Sequence, residues 1–197
     1  MEGFGYILIC IGPIIIGVIV FIIANNNRKN VVESNTTKNE NEFDKIGFIT
    51  SNKISLNTYI LVNNAKEVRV DINNKNIALV NNLIPELKII SFGEILSCET
   101  VQDNSTISSG GVGRAIVGGV LAGGVGALIG ASTGNSKNVV SELKIKITTR
   151  NLNAPLITMN LITSQISRDD DEYKKCIEFA DMVQATMNSI ISQKQEE

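Results

Sequence analysis

The residue types that most often carry protein chemistry are scarce in this sequence of 197 residues. There is no histidine, which excludes Ser-His-Asp and Cys-His catalysis and every His-ligated metal site. The three cysteines, Cys10, Cys98 and Cys176, lie far apart and form no C-x-x-C pair, so we interpret them as small apolar side chains. A net charge of −2 provides no general attraction to nucleic acid.

An acidic run spans Asp169, Asp170, Asp171 and Glu172. Calcium binding is one interpretation, but the run lacks the glycine and the ligand spacing of an EF-hand loop. We prefer a helix start, because acidic side chains favour the first turn of a helix. No activated serine, cysteine or lysine stands out. The sequence therefore predicts a protein that is not an enzyme, with no metal, no cofactor and no identified small-molecule substrate. An enzyme with converging carboxylates remains an alternative.

A glycine-rich insert, residues 108–136, is the most distinctive stretch and holds ten of the 16 glycines. Small residues recur there every four positions, which places them on one face of a helix. Such spacing lets helix backbones approach closely, above all in lipid, so we interpret the insert as a glycine zipper that contacts membrane or mediates self-association. One series is Gly118, Ala122, Gly126, Gly130 and Gly134, and a parallel series is Ala115, Gly119, Gly123, Ala127 and Ala131.

Two other interpretations of the insert stay open. Gly124, Gly126 and Gly130 could form a nucleotide-binding loop, but no Gly-Lys-Ser/Thr sequence follows, and no buried strand precedes the glycines. A solvated flexible loop is the second, although it would not be expected to carry seven large aliphatic residues.

The strands on either side of the insert must pair on the same side of any membrane. A zipper that enters lipid would therefore form a helical hairpin, bent near Gly123 and Gly124. Arg114 and Lys137 flank it and would lie among lipid headgroups.

Residues 3–24 carry no charge and as a helix would span about 33 Å, close to the roughly 30 Å of a bilayer core. They predict a transmembrane helix. A cleaved signal peptide is the competing interpretation, but it needs a basic start and a small-x-small cleavage site, whereas Glu2 precedes this segment. Arg28 and Lys29 follow it and would lie among headgroups, so the positive-inside rule places the N-terminus outside the cell membrane and the C-terminal domain in the cytoplasm.

Residues 25–45 are mostly polar and hold few large apolar side chains. Such a stretch cannot bury enough surface to offset its ordering entropy, so it is predicted to be a flexible linker. The folded domain is expected from residue 46 to residue 193.

Beyond residue 46 the hydrophobic pattern alternates with the period of two that is typical of β-strands. Val68, Val70 and Ile72 fall on one face, and residues 73–75 form a turn that predicts a hairpin. The predicted strands are 58–62, 67–72, 76–80, 87–92, 94–101, 142–148 and 155–162.

The C-terminal stretch 169–193 follows a different period. Its apolar residues, from Tyr173 to Ile191, recur at spacings of three and four, which predicts an amphipathic helix. Ser167 is a candidate N-cap.

The order of several short strands and one C-terminal helix resembles that of pleckstrin-homology (PH)-like domains over residues 54–193. Within it, the stretch 89–99 is similar to a bacterial PH-like pattern at Phe92, Glu94, Ile95 and Glu99. The resemblance implies an antiparallel β-sandwich or barrel capped by the helix, acting as a binding or scaffold module. The glycine-rich insert departs from the usual pattern.

Lipid-binding members of the family use a basic cluster in their first loops. Here the corresponding stretch offers only Lys66, Arg69 and Lys75, interleaved with Glu67 and Asp71, so phosphoinositide recognition is not supported.

The sequence thus predicts a mainly β, PH-like domain with one N-terminal transmembrane helix and a glycine-rich helical insert. Its expected function is that of a single-pass, membrane-anchored binding or scaffold module. Its expected partners are membrane lipid and either a second copy or an unidentified membrane protein, with no nucleic acid. The alternative is a pore-forming or permeabilising assembly built through the zipper.

Overall fold

The computed structural model describes residues 3–58, 65–84, 86–111 and 139–193, with no side chains described for residues 3–13, 57, 65 and 108–111. The helices are α1 (Gly3–Ile46) and α2 (Asp171–Gln193), and a 3-10 turn covers Phe92–Glu94. The strands are β1 (Asn52–Asn57), β2 (Ala65–Asp71), β3 (Asn76–Asn81), β4 (Glu86–Ser91), β5 (Ile95–Gln102), β6 (Ser105–Gly111), β7 (Val139–Val140), β8 (Leu143–Thr149), β9 (Leu156–Ile162) and β10 (Ile166–Ser167).

The described residues of the domain form two antiparallel sheets of four strands each. The first sheet has the order β1-β2-β3-β4 and the second the order β6-β5-β8-β9, while β7 and β10 form a small separate pair. The inner faces meet in one core, to which Val68, Ile77, Ile145 and Leu161 each contribute a fully or almost fully buried side chain. The mainly β architecture with a C-terminal helix, as predicted, is confirmed.

The predicted hairpin is also confirmed, because β2 and β3 pair with Arg69 opposite Ala78. Strand β1 (Asn52–Asn57) was not predicted. Residues 59–62 of the predicted strand 58–62 lie outside the described part of the chain. One detail of the hairpin was wrong. Ile72 does not share the buried face of Val68 and Val70, since it lies in the β2–β3 turn and is 62% exposed. Strand β6, which pairs with β5, was not predicted.

Helix α2 closes the core and packs mainly on β5, with further contacts to β1, β6 and β9. Its buried face has the predicted spacing and includes Cys176, Ile177, Ala180, Val183 and Met187. Burying a large aliphatic side chain is worth about 1.5–3 kcal/mol, so this face contributes strongly to stability.

The N-cap of α2 is Asp170 and not Ser167. The Asp170 Oδ1 atom accepts a hydrogen bond from the backbone N–H of Glu172 at 2.8 Å, whereas Ser167 accepts one from Asp169, before the helix begins. The acidic run therefore caps the helix and complements its dipole, as the sequence indicated.

Helix α1 overturns the prediction of a flexible linker. It is continuous from Gly3 to Ile46, so residues 25–45 are helical, and Asn35, Asn39 and Phe43 are buried against the first sheet. Tertiary contact supplies the stabilisation that composition alone does not reveal. Within the described part of the chain, no helix meets the length and apolarity expected of a membrane-crossing segment, so the predicted transmembrane helix is not shown.

Candidate functional site

The outer face of the first sheet is covered by the second half of α1, and this interface is the candidate site. A glycine ends the helix there. Gly47 has φ +67, a conformation that glycine adopts without strain. The Phe48 N–H donates to the Phe43 carbonyl at 2.9 Å and the Gly47 N–H to that of Asp44 at 3.3 Å, the two bonds of a Schellman motif. This sharp end turns the chain directly into β1.

Three side chains spaced four residues apart on α1 are buried against the first sheet and the turn that follows β3. Asn35 donates through Nδ2 to the Asn82 carbonyl at 3.1 Å, and Asn39 donates to the Asn82 Oδ1 atom at 2.8 Å. Phe43 is 2% exposed and packs with Phe48, Ala78, Val80 and Leu87 in a small second core. We call these three residues of α1 and their partners on the sheet the α1 docking face.

Arg69 lies at the centre of this face and is only 3% exposed. Its Nη1 and Nη2 atoms donate to the two carboxylate oxygens of Glu40 at 3.0 and 2.7 Å, and its Nε atom donates to Glu67 at 2.9 Å. The guanidinium carbon lies 4.8 Å from the centroid of the Phe43 ring, within the range of a cation–π contact. Lys53 pairs with the other oxygen of Glu67 at 3.0 Å.

The charged side chains of this cluster stabilise one another in their ionised forms. Hydrogen bonding to Arg69 lowers the pKa of Glu40 despite an opposing effect of burial. Burial by itself would lower the pKa of Arg69, but hydrogen bonds to Glu40 and Glu67 raise it overall. Arg69 therefore stays charged beneath α1, which is possible because both carboxylates compensate its desolvation.

A second polar contact fixes the far end of the docking face. Asp71 accepts hydrogen bonds from the Ile49 N–H at 2.8 Å and from the Asn74 N–H at 3.0 Å. Burial opposes the charged form of Asp71, yet these hydrogen bonds lower its pKa overall. Asn74 also donates to the Gly47 carbonyl at 3.0 Å. The end of α1 is therefore tied to the β2–β3 turn.

The headgroup-flanking residues predicted from the sequence divide between described and undescribed parts of the chain. Arg28 is described, and its Nη2 atom donates to the Thr58 carbonyl at 2.7 Å, just beyond β1. Lys29 is exposed on α1. Arg114, Lys137 and the whole zipper series Gly118, Gly119, Ala122, Gly123, Gly126, Gly130 and Gly134 lie outside the described residues, so the zipper stays a prediction.

Sequence reasoning missed the α1 docking face, although a signal was present. Asn35, Asn39 and Phe43 recur every four residues, a spacing that places them on one helix face. Two of the three are polar, so the stripe does not stand out in a hydrophobic pattern.

The described thiols are not set to act as nucleophiles. Burial, aided by nearby carboxylates, raises the pKa of Cys98 and of Cys176 to about 12. Each thiol is therefore protonated at neutral pH, as the interpretation of both as apolar side chains requires. Among the described residues, no group of three or more His, Cys, Asp or Glu side chains could hold a metal ion.

A cavity of about 190 Å³ lies between β9 and the β3–β4 region. Leu79, Ile157 and Met159 form apolar parts of its lining, and its charged lining residues are Lys66, Glu86 and Lys88. A single carboxylate among them does not make the converging pair that an acid–base site requires.

A comparison with protein families gives a match over the folded domain. The model of the family described as "Glycine zipper containing PH domain" matches residues 55–163, which is more than half of the chain. No curated protein and no solved structure matches it. The match covers strands of both sheets together with the glycine-rich insert, the same combination that the sequence indicated. The chain therefore belongs to the family of PH domains that contain a glycine zipper.

Proposed function

We propose that this protein is a single-pass, membrane-anchored scaffold or binding module that carries out no catalysis. Its PH domain would lie in the cytoplasm, and its glycine zipper would contact lipid or a second copy of the chain. Membership of the glycine-zipper PH family supports a non-enzymatic module. Beyond family membership, the proposal adds the membrane anchor, the cytoplasmic orientation of the PH domain and the role of the zipper.

The observation that carries the proposal is the division of α1 into two chemically different halves. Nine large apolar side chains between residues 14 and 23 are 49–66% exposed, all round the helix, whereas the second half docks on the first sheet. A helix that is apolar on every side is unfavourable in water and suited to lipid. The nine are Ile14, Ile15, Ile16, Val18, Ile19, Val20, Phe21, Ile22 and Ile23.

The positions of the strands that flank the insert limit how a zipper could enter a membrane. Strand β6 ends at Gly111, opposite Ser97 near the start of β5. The chain is described again from Val139, and the Ser141 N–H bonds to Asp103 just past the end of β5. These flanks are separated by roughly 20 Å along β5 and belong to one domain. A zipper in lipid would therefore have to leave and return on the same side.

Flotation of the full chain with vesicles of phosphatidylethanolamine and phosphatidylglycerol tests the anchor. We expect the protein to float with the vesicles and to resist extraction by high salt. The double variant Ile16→Asp/Val20→Asp should lose most of this binding, because each acidic side chain costs about 2.5–3.5 kcal/mol at the centre of a membrane helix.

Val31→Asp/Ser34→Asp is the matched control, since it places two aspartates on exposed positions in the docked half of α1. It should float like the natural chain. Equal flotation of both variants, or no flotation of the natural chain, would contradict the anchor.

A pore or permeabilising assembly is the second candidate, because the family carries a zipper and small-x-x-x-small faces favour close helix association in lipid. Release of a trapped dye by the natural chain, abolished in Gly119→Leu and Gly126→Leu, would support it. A chain that floats without dye release, and whose cross-linked oligomers are lost in both variants, would support a scaffold instead.

A further inference from the structure

Five residue pairs along α1 and at its C-terminal end hold the domain in one position relative to this helix. They occur at Arg28 with Thr58, at Asn35 and Asn39 with Asn82, at Glu40 with Arg69, and at Gly47 with Asn74. Because α1 is a single helix of 44 residues, these contacts also fix the domain relative to the apolar half of α1. A flexible linker, by contrast, would let the domain adopt any orientation.

The rise of an α-helix converts these contacts into heights above the end of the apolar run at Ile23. At about 1.5 Å per residue, Arg28 lies about 8 Å, Asn35 about 18 Å and Gly47 about 36 Å from Ile23 along the axis. Thr58, the residue just after β1, is therefore at the low end of the domain. The β2–β3 turn, which is bonded to Gly47, is at the high end.

We propose that α1 acts as a rigid spacer that holds the Thr58 end of the domain against the lipid surface and the β2–β3 turn away from it. The proposal rests on the membrane anchor proposed above and adds the orientation of the domain. The headgroup layer is about 5–8 Å thick on each side of a bilayer, so Arg28 and Thr58 lie at its outer limit. Arg28 and Lys29 are cationic and suit anionic headgroups there.

Burial on the sheet supports a fixed orientation. Asn35, Asn39 and Arg69 are 3–6% exposed, so releasing α1 would break polar contacts that are shielded from water. Release would also expose to water the apolar contacts of Phe43 with Phe48, Ala78 and Val80. The docked arrangement is therefore strongly favoured over a swinging one.

The high end carries exposed apolar side chains. Ile49 and Ile72 are 57% and 62% exposed. The Ile49 N–H donates to the Asp71 carboxylate and the Ile72 N–H donates to the Ser51 hydroxyl. Held about 36 Å from the apolar run, these side chains would stay out of the bilayer.

Energy transfer from a dye on the domain to acceptor-labelled lipid measures this orientation. Ile84→Cys and Ile72→Cys replace similarly exposed isoleucines, at 54% and 62%. Position 84 lies near the height of Asn35 along α1, and position 72 near the height of Gly47. Cys10→Ser removes one background thiol, and Cys98 and Cys176 are buried. In the full chain on phosphatidylethanolamine and phosphatidylglycerol vesicles, we expect transfer at position 84 to exceed that at position 72 about twofold, since about 18 Å separates the two levels.

Asn35→Ala/Asn39→Ala/Glu40→Arg should release α1 from the sheet and bring the two transfer values together. Ser34→Ala/Lys38→Ala, on the exposed side of α1, is the control and should keep them apart. Flotation measured on the same samples separates the two proposals. Absence of the protein from the floated fraction overturns both, whereas floated protein with equal transfer, or with greater transfer at position 72, overturns the spacer alone.

Discussion

The two helices pack on the β domain by opposite chemistries. Helix α2 places an apolar face, including Ile177 and Met187, over the open core. Helix α1 covers the outer face of the first sheet with two asparagines, a glutamate and one phenylalanine. Apolar burial is nondirectional and tolerates small shifts, whereas buried polar contacts need matched partners in one geometry. The second kind of interface is thus suited to fixing an orientation.

The two interfaces also differ in what they stabilise. The face of α2 belongs to the main core, so its loss should destabilise the whole domain. The α1 docking face forms a separate small cluster, so its loss should first release the helix, as local opening.

The largest effect is expected in α2. Ile177→Ala should lower the free energy of unfolding by about 2–5 kcal/mol, because it leaves a cavity in the core. Urea unfolding of the full chain in mild detergent measures it. Met182→Ala, on the same helix but 43% exposed, is the control and should cost far less. Similar losses in both variants would show that α2 does not close the core.

A smaller and more local effect is expected at the α1 docking face. Asn82→Ala removes the acceptor of Asn39 and leaves its buried amide without that partner, at a cost of about 1–3 kcal/mol. Hydrogen exchange should speed up in residues 35–43 and change little in α2. Asn160→Ala, at an exposed position of β9, should leave both unchanged. Equal acceleration in both helices would mean that they unfold as one unit.

Replacing a glycine with alanine should have opposite effects on stability at the two ends of α1. Gly47→Ala is expected to cost about 1–2 kcal/mol, because a side chain disfavours its positive φ. Gly17→Ala, within the helix, should instead be stabilising by up to about 1 kcal/mol. An added Cβ meets nothing within 4 Å at either site, so the difference in sign reports backbone conformation alone. Thermal unfolding measures both, and the same sign in the two variants would contradict the geometry of the helix end.

The smallest effect concerns pH. The pKa of Glu40 is lowered from 4.5 by Arg69, so its contribution is fully present above pH 4.5 and is lost as the pH falls through the lowered pKa. The Glu40 side chain is 50% exposed, so the contribution is at most about 1 kcal/mol. The protection of residues 35–43 against hydrogen exchange, after correction for the intrinsic pH dependence of amide exchange, should fall in acid.

Asp71 also has a lowered pKa and will add to any acid loosening. Glu40→Gln isolates the contribution of Glu40, because it removes the titrating carboxyl and leaves Asp71 in place. The variant should show a flatter pH dependence than the natural chain. An unchanged pH profile would assign the effect to Asp71.

Elements whose stability comes from apolar patterning were predictable from the sequence. The β2–β3 hairpin and α2 each follow one hydrophobic period, so both were found within a few residues. Strand β6 was missed because its residues, Ser105–Gly111, include two glycines and lack an apolar face. β1 was not predicted, because its mostly polar residues form a weaker pattern than the more apolar run 58–62 that follows it.

The sequence by itself determined the class of the domain, because alternation and helical spacing record which side chains must leave water. It also determined the glycine-rich pattern that marks the family. Only the tertiary structure decided that residues 25–45 form a docked helix, since neither Glu40 nor Arg69 reveals its partner 29 residues away. A polar contact between distant residues leaves no periodic trace in sequence, and its stabilising effect exists only where folding brings both partners together.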